Sequence, residues 1–398
     1  MGDLVVSGAT LPAQLLERAS RHPSRTAYRH KRLGVWEVGT WAGYAADAAA
    51  AGLALEALGV GAGDRVAVAA DNRPEWLITD LGVQGIGAVT VGIVPTSTAA
   101  EVRSVLSHAG ARVVVCEDEE QLDKVLATRA ELPDLVAAVV VAPRGVRVGA
   151  DGFVRTWADL LTEGRQLDAG TWRAKVDALD PAATAVLVGT SAASGPPAVT
   201  ELASRDLVAA GAASRAAFPA TLHDEVLSYL PLSHLAERLT SLVDALAVGY
   251  VVNFGEGGTS FPQDLREVQP SRFLGTPRVW ERIVATTEER MAGASLVKRS
   301  AYRWCMARGR GLAARRDAAS PRAGDPALRA LCWLLCHRQL RRKLGLSRVN
   351  TALSAGGPLP PPVFEWFRAL GIEVRAWEQT AGAALAGAGT LVPSEVPA

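Results

Sequence analysis

The sequence predicts an α/β protein of two packed lobes, each a mainly parallel sheet flanked by helices. Its 398 residues suffice for two or three domains at the usual size of roughly 100–200 residues each. Apolar residues make up 49% of the chain, which allows large buried cores and excludes a mainly disordered protein. Short apolar runs alternate with helical segments, and this alternation is typical of βαβ units with a parallel sheet.

The first lobe is predicted over residues 1–180. Thr10 and Pro12 are typical of a helix start, and Thr40 is the expected cap of a second helix that ends before Gly59 and Gly61. Four apolar runs between helical segments are expected to be buried parallel strands. They cover residues 65–70, 88–94, 112–116 and 137–141.

The second lobe is predicted over residues 181–385, and residues 386–398 are expected to form a loose tail. Two long helical regions are expected here, over residues 277–316 and 328–344. The expected strands cover residues 183–188, 226–229, 251–254, 272–274, 349–354 and 372–375.

The charge balance excludes some classes of protein. The chain has 42 Lys and Arg against 41 Asp and Glu, whereas a dedicated nucleic-acid binder is normally strongly basic, so no nucleic-acid partner is expected. Four cysteines are too few for a disulfide framework in so long a chain. Neither a signal peptide nor a membrane-spanning apolar run is recognisable. We therefore expect a cytoplasmic protein.

A loop of small residues over 190–200 follows an expected strand and is expected to precede a helix. Backbone N–H groups in such a loop can bind a phosphate, and an ordinary strand–helix connection is the alternative. A phosphate loop normally also carries a lysine. No lysine lies between Lys175 and Lys298, which weakens the phosphate interpretation when the loop is considered alone.

Two further clusters could carry chemistry. His234 follows an expected strand at a helix start, where it could gate a ligand, act as a base or simply cap the helix. Cys332, Cys336 and His337 have the spacing of a partial metal site. The cysteines share the apolar helical pattern of Leu328, Leu331 and Leu335, so buried core cysteines are the favoured interpretation.

Several ordered segments together resemble the AMP-binding, adenylate-forming family and, within it, the long-chain fatty-acid–CoA ligases. The resemblance runs from about Leu11 to Thr380, nearly the whole chain. The similar segments are Gly63-Asp-Arg-Val-Ala-Val, Asn72-Arg-Pro-Glu-Trp76, Gly87-Ala-Val-Thr-Val with Pro95-Thr-Ser-Thr98, Tyr229-Leu-Pro-Leu-Ser-His234, Asp264-Leu-Arg-Glu-Val, Gly275-Thr-Pro-Arg-Val-Trp-Glu281 and Ser354-Ala-Gly-Gly-Pro-Leu-Pro360.

This resemblance implies a two-step reaction and a set of binding residues. A fatty acid attacks the α-phosphate of ATP to give an acyl-adenylate, and coenzyme A then displaces AMP. By resemblance, His234 would contact the acyl substrate. The residues implied for ATP or AMP are Thr190, Ser191, Gly195, Gly356, Gly357, Pro358, Trp377 and Thr380.

The sequence departs from the family pattern where charge is needed. The lysine of the phosphate loop is Ala198, and the glutamate that binds Mg²⁺ is Ala381. Glu378 stands where the family has a glycine and adds negative charge. The resemblance therefore implies weak binding of ATP or AMP and no bound Mg²⁺, and it assigns no catalytic residue.

The resemblance covers the two lobes of the family's N-terminal domain, and no counterpart of the mobile C-terminal domain is found. The leading hypothesis is a truncated scaffold with little or no ligase activity, whose role is to bind an acyl chain or adenine nucleotide or to pair with an active relative. One alternative is an active fatty-acid-adenylating enzyme completed by another chain. Another is a non-catalytic interaction subunit, with an active homologue or a second copy as its partner.

The segment 298–343 is strongly basic. It contains 13 Lys and Arg but only two acids, Asp317 and Asp325. Solvated helix faces are the favoured interpretation. The alternative is peripheral contact with an anionic membrane surface, because each basic residue near such a surface contributes about 1 kcal/mol.

Overall fold

The computed structural model of the chain describes residues 5–149, 151–190, 198–377 and 390–392. The chain divides into two compact units. The large unit comprises Met1–Leu222, Ser228–Gly257 and Ala384–Ala398. The small unit comprises His223–Leu227 and Gly258–Ala383.

The β-strands of the described residues are numbered β1 to β15 along the chain. Their bounds are Thr26–Arg32, Val35–Thr40, Arg65–Ala69, Val89–Ile93, Ala111–Cys116, Ala137–Val140, Val154–Thr156, Thr184–Thr190, Ala198–Ala203, Glu225–Ser228, Val251–Phe254, Arg272–Gly275, Thr351–Ser354, Val374–Ala376 and Thr390–Val392.

The α-helices of the same residues are numbered α1 to α16. Their bounds are Leu11–Arg21, Trp41–Ala57, Pro74–Gly85, Ala99–Ala109, Glu119–Leu126, Trp157–Gly164, Ala169–Asp177, Ser204–Ala217, Leu235–Arg238, Asp244–Val248, Phe261–Val268, Pro277–Ala292, Leu296–Asp317, Asp325–Cys332, Arg338–Leu344 and Pro361–Ala369. Single π-helical turns, Leu239–Val243 and Trp333–His337, continue α9 into α10 and α14 into α15.

The main sheet of the large unit has the strand order β15-β9-β8-β4-β3-β5-β6-β7. From β8 to β7 every neighbouring pair is parallel, which confirms the predicted α/β class with mainly parallel sheets. Strand β9 pairs antiparallel with β8 and with β15. Strand β15 lies within the tail that is expected to be loose, and the rest of that tail lies outside the described residues.

The predicted helix starts of the large unit are confirmed. The side chain of Thr10 accepts a hydrogen bond from the Ala13 amide, and that of Thr40 accepts one from the Gly43 amide. Buried side chains from β3, β5 and β6 and from α4 and α5 form one hydrophobic core. The central strands are therefore covered by helices, as their apolar runs predict.

The large unit also contains a β-hairpin that the sequence analysis does not predict. Strand β1 pairs antiparallel with β2 and parallel with β11. The turn between β1 and β2 contains Leu33 and Gly34, both with positive φ angles, 49° and 79°. Two such residues are typical of a tight hairpin turn.

The small unit is built on the parallel sheet β12-β13-β14. Trp280 and Phe367 pack edge to face beside this sheet, with ring centroids 4.8 Å apart. The long helical region expected over residues 277–316 consists of two helices, α12 and α13, separated at Gly293 and Ser295. Among the helices of the described residues, none is both long and apolar enough to cross a membrane.

Candidate functional site

The predicted site residues that the structure describes lie at the carboxyl ends of strands. Thr190 is the last residue of β8, and His234 follows β10. Gly356, Gly357 and Pro358 follow β13, and Trp377 directly follows β14. Ligands of open α/β sheets bind at these ends, so the positions suit a binding function in each unit.

In the large unit, Asn72 holds the segment 229–234 in place. The Asn72 side-chain amide donates to Ser228 Oγ at 2.8 Å and to the Leu230 carbonyl at 2.6 Å. Its carbonyl oxygen accepts from the Leu232 amide at 3.1 Å. The loop after β3 therefore fixes the backbone that leads to His234.

The same segment packs against β4 at Gly92. A Cβ atom on Gly92 would lie 2.9 Å from Ser233 Cβ, closer than side chains approach without displacement. His234 occupies the position before α9, but its side chain makes no capping hydrogen bond. Its ring is exposed and is therefore available to a ligand.

Glu237, which the sequence analysis does not single out, lies one turn beyond His234 and is only 2% exposed. Burial raises the pKa of its carboxyl to about 7, although hydrogen bonds from Ser241, Ser228 and the Leu230 backbone favour the charged form. The carboxylate thus joins the helix to the segment that carries His234. The local sequence pattern that could have indicated Glu237 is the spacing of an acidic residue and a hydroxyl residue, Ser241, four positions later.

A buried ion pair anchors the same helix. Arg238 Nη2 lies 2.5 Å from Asp80 Oδ2 on α3, and both side chains are almost completely buried. The guanidinium carbon also lies 4.9 Å from the ring centroid of Trp76. Removing either partner would leave a buried charge without compensation, which is strongly destabilising.

In the small unit, the turn after β13 requires glycine. The φ angles of Gly356 and Gly357 are 90° and 137°, values that residues with a Cβ rarely adopt. A Cβ on either glycine would have no atom within 4 Å. The turn is therefore shaped by its backbone and leaves open space at which a ligand can approach.

Hydrogen bonds tie this turn to the neighbouring strand. The Trp377 amide donates to the Ser354 carbonyl at 2.8 Å, and Ser354 Oγ donates to the Gly357 carbonyl at 3.4 Å. Pro358 is exposed. Trp377 is 6% exposed, so most of the ring expected to stack on adenine is covered.

The loop expected to bind phosphate connects two strands. Strand β8 ends at Thr190 and β9 begins at Ala198, and these two residues are register partners in an antiparallel pair. The expected strand–helix connection is therefore wrong, because β9 separates the loop from α8. Residues 191–197, between the two strands, lie outside the described residues.

Other predicted positions lie outside the described residues. They are Ser191, Gly195, Glu378, Thr380 and Ala381. The described residues contain no group of three or more His, Cys, Asp or Glu side chains that could hold a metal ion. Cys305 and Cys332 are buried free thiols, and Cys336 is partly buried.

The family model described as AMP-binding enzyme matches residues 15–391 of this chain. The long-chain-fatty-acid–CoA ligase ACSBG2 of Rattus norvegicus is 28% identical over 378 residues, 92% of this chain and 55% of that protein. The long-chain-fatty-acid–CoA ligase FadD15 of Mycobacterium bovis is 30% identical over 371 residues, 91% of this chain and 59% of that protein. The chain thus spans about half the length of the curated relatives it matches.

Solved structures show the same fold. The anthranilate CoA ligase AuaEII, in complex with anthranoyl-AMP, superposes with a TM-score of 0.68 at 17% identity, covering 93% of this chain and 59% of that one. The N-terminal domain of FACL13 from Mycobacterium tuberculosis gives a TM-score of 0.61 at 18% identity, covering 92% and 75%. The predicted resemblance is confirmed: this chain belongs to the AMP-binding enzyme family, and its curated relatives are long-chain-fatty-acid–CoA ligases.

Proposed function

We propose that this chain is an acyl-CoA synthetase-like protein that binds adenine nucleotide and an acyl chain but catalyses little or no ligation. Its curated relatives are named long-chain-fatty-acid–CoA ligases, and a solved structure of the same fold holds anthranoyl-AMP. These likenesses support the ligand classes. The weakened chemistry is inferred from this chain's own residues.

The turn at Gly356 and Gly357 is the observation that carries nucleotide binding. Its left-handed backbone and the open space above it allow a flat ring to approach the main chain. Pro358, Trp377 and Thr380 complete the proposed nucleotide site of this unit. Trp377 would contribute through its backbone and the edge of its ring, since the ring is mostly covered.

The loop that contains Thr190, Ser191 and Gly195 is proposed to contact the phosphates. Hydroxyl and backbone N–H groups at these positions can donate hydrogen bonds to phosphate oxygens. His234 is proposed to contact the acyl substrate, because its exposed ring stands on a segment fixed by Asn72 and Glu237.

The loss of ligase activity is proposed from Ala198 and Ala381. The family pattern places a lysine and a metal-binding glutamate at these positions, and alanine supplies neither charge. Adenylation develops negative charge on the phosphates, and removing one pre-organised electrostatic contact typically costs about 10²–10³ in rate. Two such losses leave a site suited to binding rather than to turnover.

A thermal-shift titration with AMP, ATP and a long-chain fatty acid tests the binding function. A ligand that binds only the native state raises its apparent stability by about 2.7 kcal/mol at a hundred times its dissociation constant. We expect AMP and the fatty acid each to raise the melting temperature. A chain unaffected by all three ligands would instead be a non-catalytic interaction subunit.

A further inference from the structure

A cavity of about 240 Å³ lies within the small unit, between α13, the helix formed by α14 and α15, and the end of α16. Its wall is rich in cationic and aromatic groups. The residues that matter are Arg316, Arg329, Trp333, His337, Arg341 and Arg368. None of them belongs to the residues proposed above for nucleotide or acyl binding.

Four of these residues follow one another at intervals of four along one helix: Arg329, Trp333, His337 and Arg341. In an α-helix, four residues turn about 40° more than a full circle, so such a stripe drifts around the axis. The π-helical turn Trp333–His337 has wider i→i+5 bonding, which offsets this drift. Turns of this kind are frequent at functional sites.

Two of the four guanidinium groups are already paired with carboxylates. Arg368 pairs with Asp317, and Arg316 Nη2 lies 3.5 Å from Glu373 Oε2. Within the described part of the chain, Arg329 and Arg341 have no carboxylate partner. Two cations at this cavity, Arg341 and the exposed Arg329, are therefore not neutralised by a carboxylate in that part of the chain.

Arg341 is held by backbone carbonyls although no carboxylate of the described residues pairs with it. It is 9% exposed and donates to the Leu346 carbonyl at 3.1 Å and to the Val349 carbonyl at 2.9 Å. Burial lowers the pKa of its guanidinium, because removing the charged group from water costs free energy. Its guanidinium carbon lies 5.5 Å from the ring centroid of Trp333, so the two groups form one wall of the cavity.

His337 supplies an independent indication that the cavity holds a ligand. The residue is 5% exposed, and its Nε2 is buried without a hydrogen-bond partner among the described residues. Burial lowers the pKa of the ring, although a hydrogen bond to the Cys305 backbone opposes the shift. A buried nitrogen of this kind costs free energy until a ligand group pairs with it. An anion beside the ring would favour the protonated form, whose Nε2–H can donate a hydrogen bond to that anion.

We propose that this cavity binds the phosphate group of a phosphate monoester. Such a group carries about −1.5 to −2 charges at neutral pH, which matches the two uncompensated arginines, and its oxygens can meet both guanidinium groups. The carboxyl end of α16 carries a partial negative charge at the same wall. The full positive charges of the arginine side chains are larger. Trp333 offers an apolar face to the organic part of the ligand.

The phosphate can belong to a soluble monoester or to a phospholipid headgroup. Leu334 and Leu335, which follow Trp333 in the chain, are 65% and 56% exposed, and exposed apolar side chains on this helix would suit acyl chains. Both ligands carry a phosphate monoester, and two different probes distinguish them. Phenyl phosphate represents the soluble ligand, and phosphatidate in phosphatidylcholine vesicles represents the headgroup.

Binding is measured by isothermal titration with phenyl phosphate at fixed ionic strength and by co-sedimentation with the vesicles. Arg329→Gln should weaken binding about tenfold, since a charge-assisted hydrogen bond is worth roughly 1.5 kcal/mol or more. Arg342→Gln is the matched control, because Arg342 is exposed on the same helix and does not line the cavity. It should leave binding unchanged.

Binding of phenyl phosphate that is weakened in Arg329→Gln but not in Arg342→Gln supports a soluble ligand. Binding to phosphatidate vesicles, but not to pure phosphatidylcholine, with the same weakening supports a headgroup. Failure to bind either probe, or equal weakening by both substitutions, overturns the proposal. Unchanged thermal unfolding of Arg329→Gln without ligand shows that the fold is intact.

Discussion

The buried carboxyl of Glu237 makes the stability of the folded chain depend on pH. Its carboxyl has a pKa raised by burial from 4.5 to about 7. The folded chain therefore holds this proton more tightly than the unfolded chain does. The stability that the residue contributes is present below about pH 4.5 and is lost as the pH rises towards 7.

We predict that Glu237→Gln flattens this pH dependence. The free energy of unfolding of the variant, compared with that of the wild type at the same pH, should be higher at pH 8 than at pH 5. The increase should be on the order of 3 kcal/mol. Urea midpoints measured at both pH values test this. Glu120→Gln, a change at an exposed glutamate, is the control, and a Glu237→Gln effect of the same size at both pH values would contradict the assignment.

We also predict that Gly356→Ala weakens AMP binding about tenfold. An L-residue in the left-handed region costs roughly 1–2 kcal/mol, so the turn would relax and move the backbone proposed to contact the nucleotide. Gly152→Ala is a matched control, because Gly152 has a φ of 70° and equally open surroundings. Equal AMP affinity of the two variants in isothermal titration would refute the role of this turn.

At the scale of elements, the site of the large unit depends on the packing of an irregular segment against a strand. Residues 229–234 lie on β4 because Gly92 has no side chain, and Asn72 holds their backbone from the other side. The exposed His234 is therefore positioned by contacts of its neighbours. Its own side chain contributes no capping bond.

Gly92→Ala should consequently destabilise the protein and loosen this segment. The added Cβ would lie 2.9 Å from Ser233 Cβ and 3.1 Å from Ser233 Cα, and overpacking of this kind typically costs 1–3 kcal/mol. We expect faster hydrogen exchange at the Leu232 amide, which donates to Asn72. Gly61→Ala, where the nearest atom is 3.7 Å away, should change neither quantity, and unaltered exchange in Gly92→Ala would disprove the packing argument.

The elements also show which parts of the fold the sequence can predict. The apolar runs of β3 to β6 identify central strands because both faces of those strands are buried. Strand β1 escapes prediction, since Arg29, His30 and Lys31 interrupt any apolar run. Strand β9 escapes for a similar reason, because Thr200 and Glu201 make it look like part of a loop.

In the site, Gly356 and Gly357 are predictable from the sequence, because they belong to a segment that resembles a family motif and the turn they form requires positive φ angles. Glu237 is not, because its importance comes from burial by residues distant in the chain. The cavity beside Arg341 could not be expected either. The basic segment 298–343 suggests a charged surface, and only the folded helices show that Arg316 and Arg368 are paired while Arg329 and Arg341 are not.

At the scale of the whole molecule, the chain contains two units of the AMP-binding fold, each with its own sheet. It spans 55% of the length of the ligase ACSBG2 of Rattus norvegicus and 59% of that of FadD15 of Mycobacterium bovis. We propose that these units retain ligand binding while adenylation is impaired through Ala198 and Ala381. Binding measurements alone do not separate an impaired enzyme from an active one, because both would bind AMP.

Fatty-acid-dependent ATP–pyrophosphate exchange by the purified 398-residue chain is the most direct test, because it reports the adenylation step alone. With neither the loop lysine nor the metal-binding glutamate, the chain should show no exchange above a no-enzyme control, even with saturating ATP, Mg²⁺ and fatty acid. Exchange at a rate typical of enzymes, about 1 s⁻¹ or more, would contradict the account and identify the chain as a working adenylating enzyme.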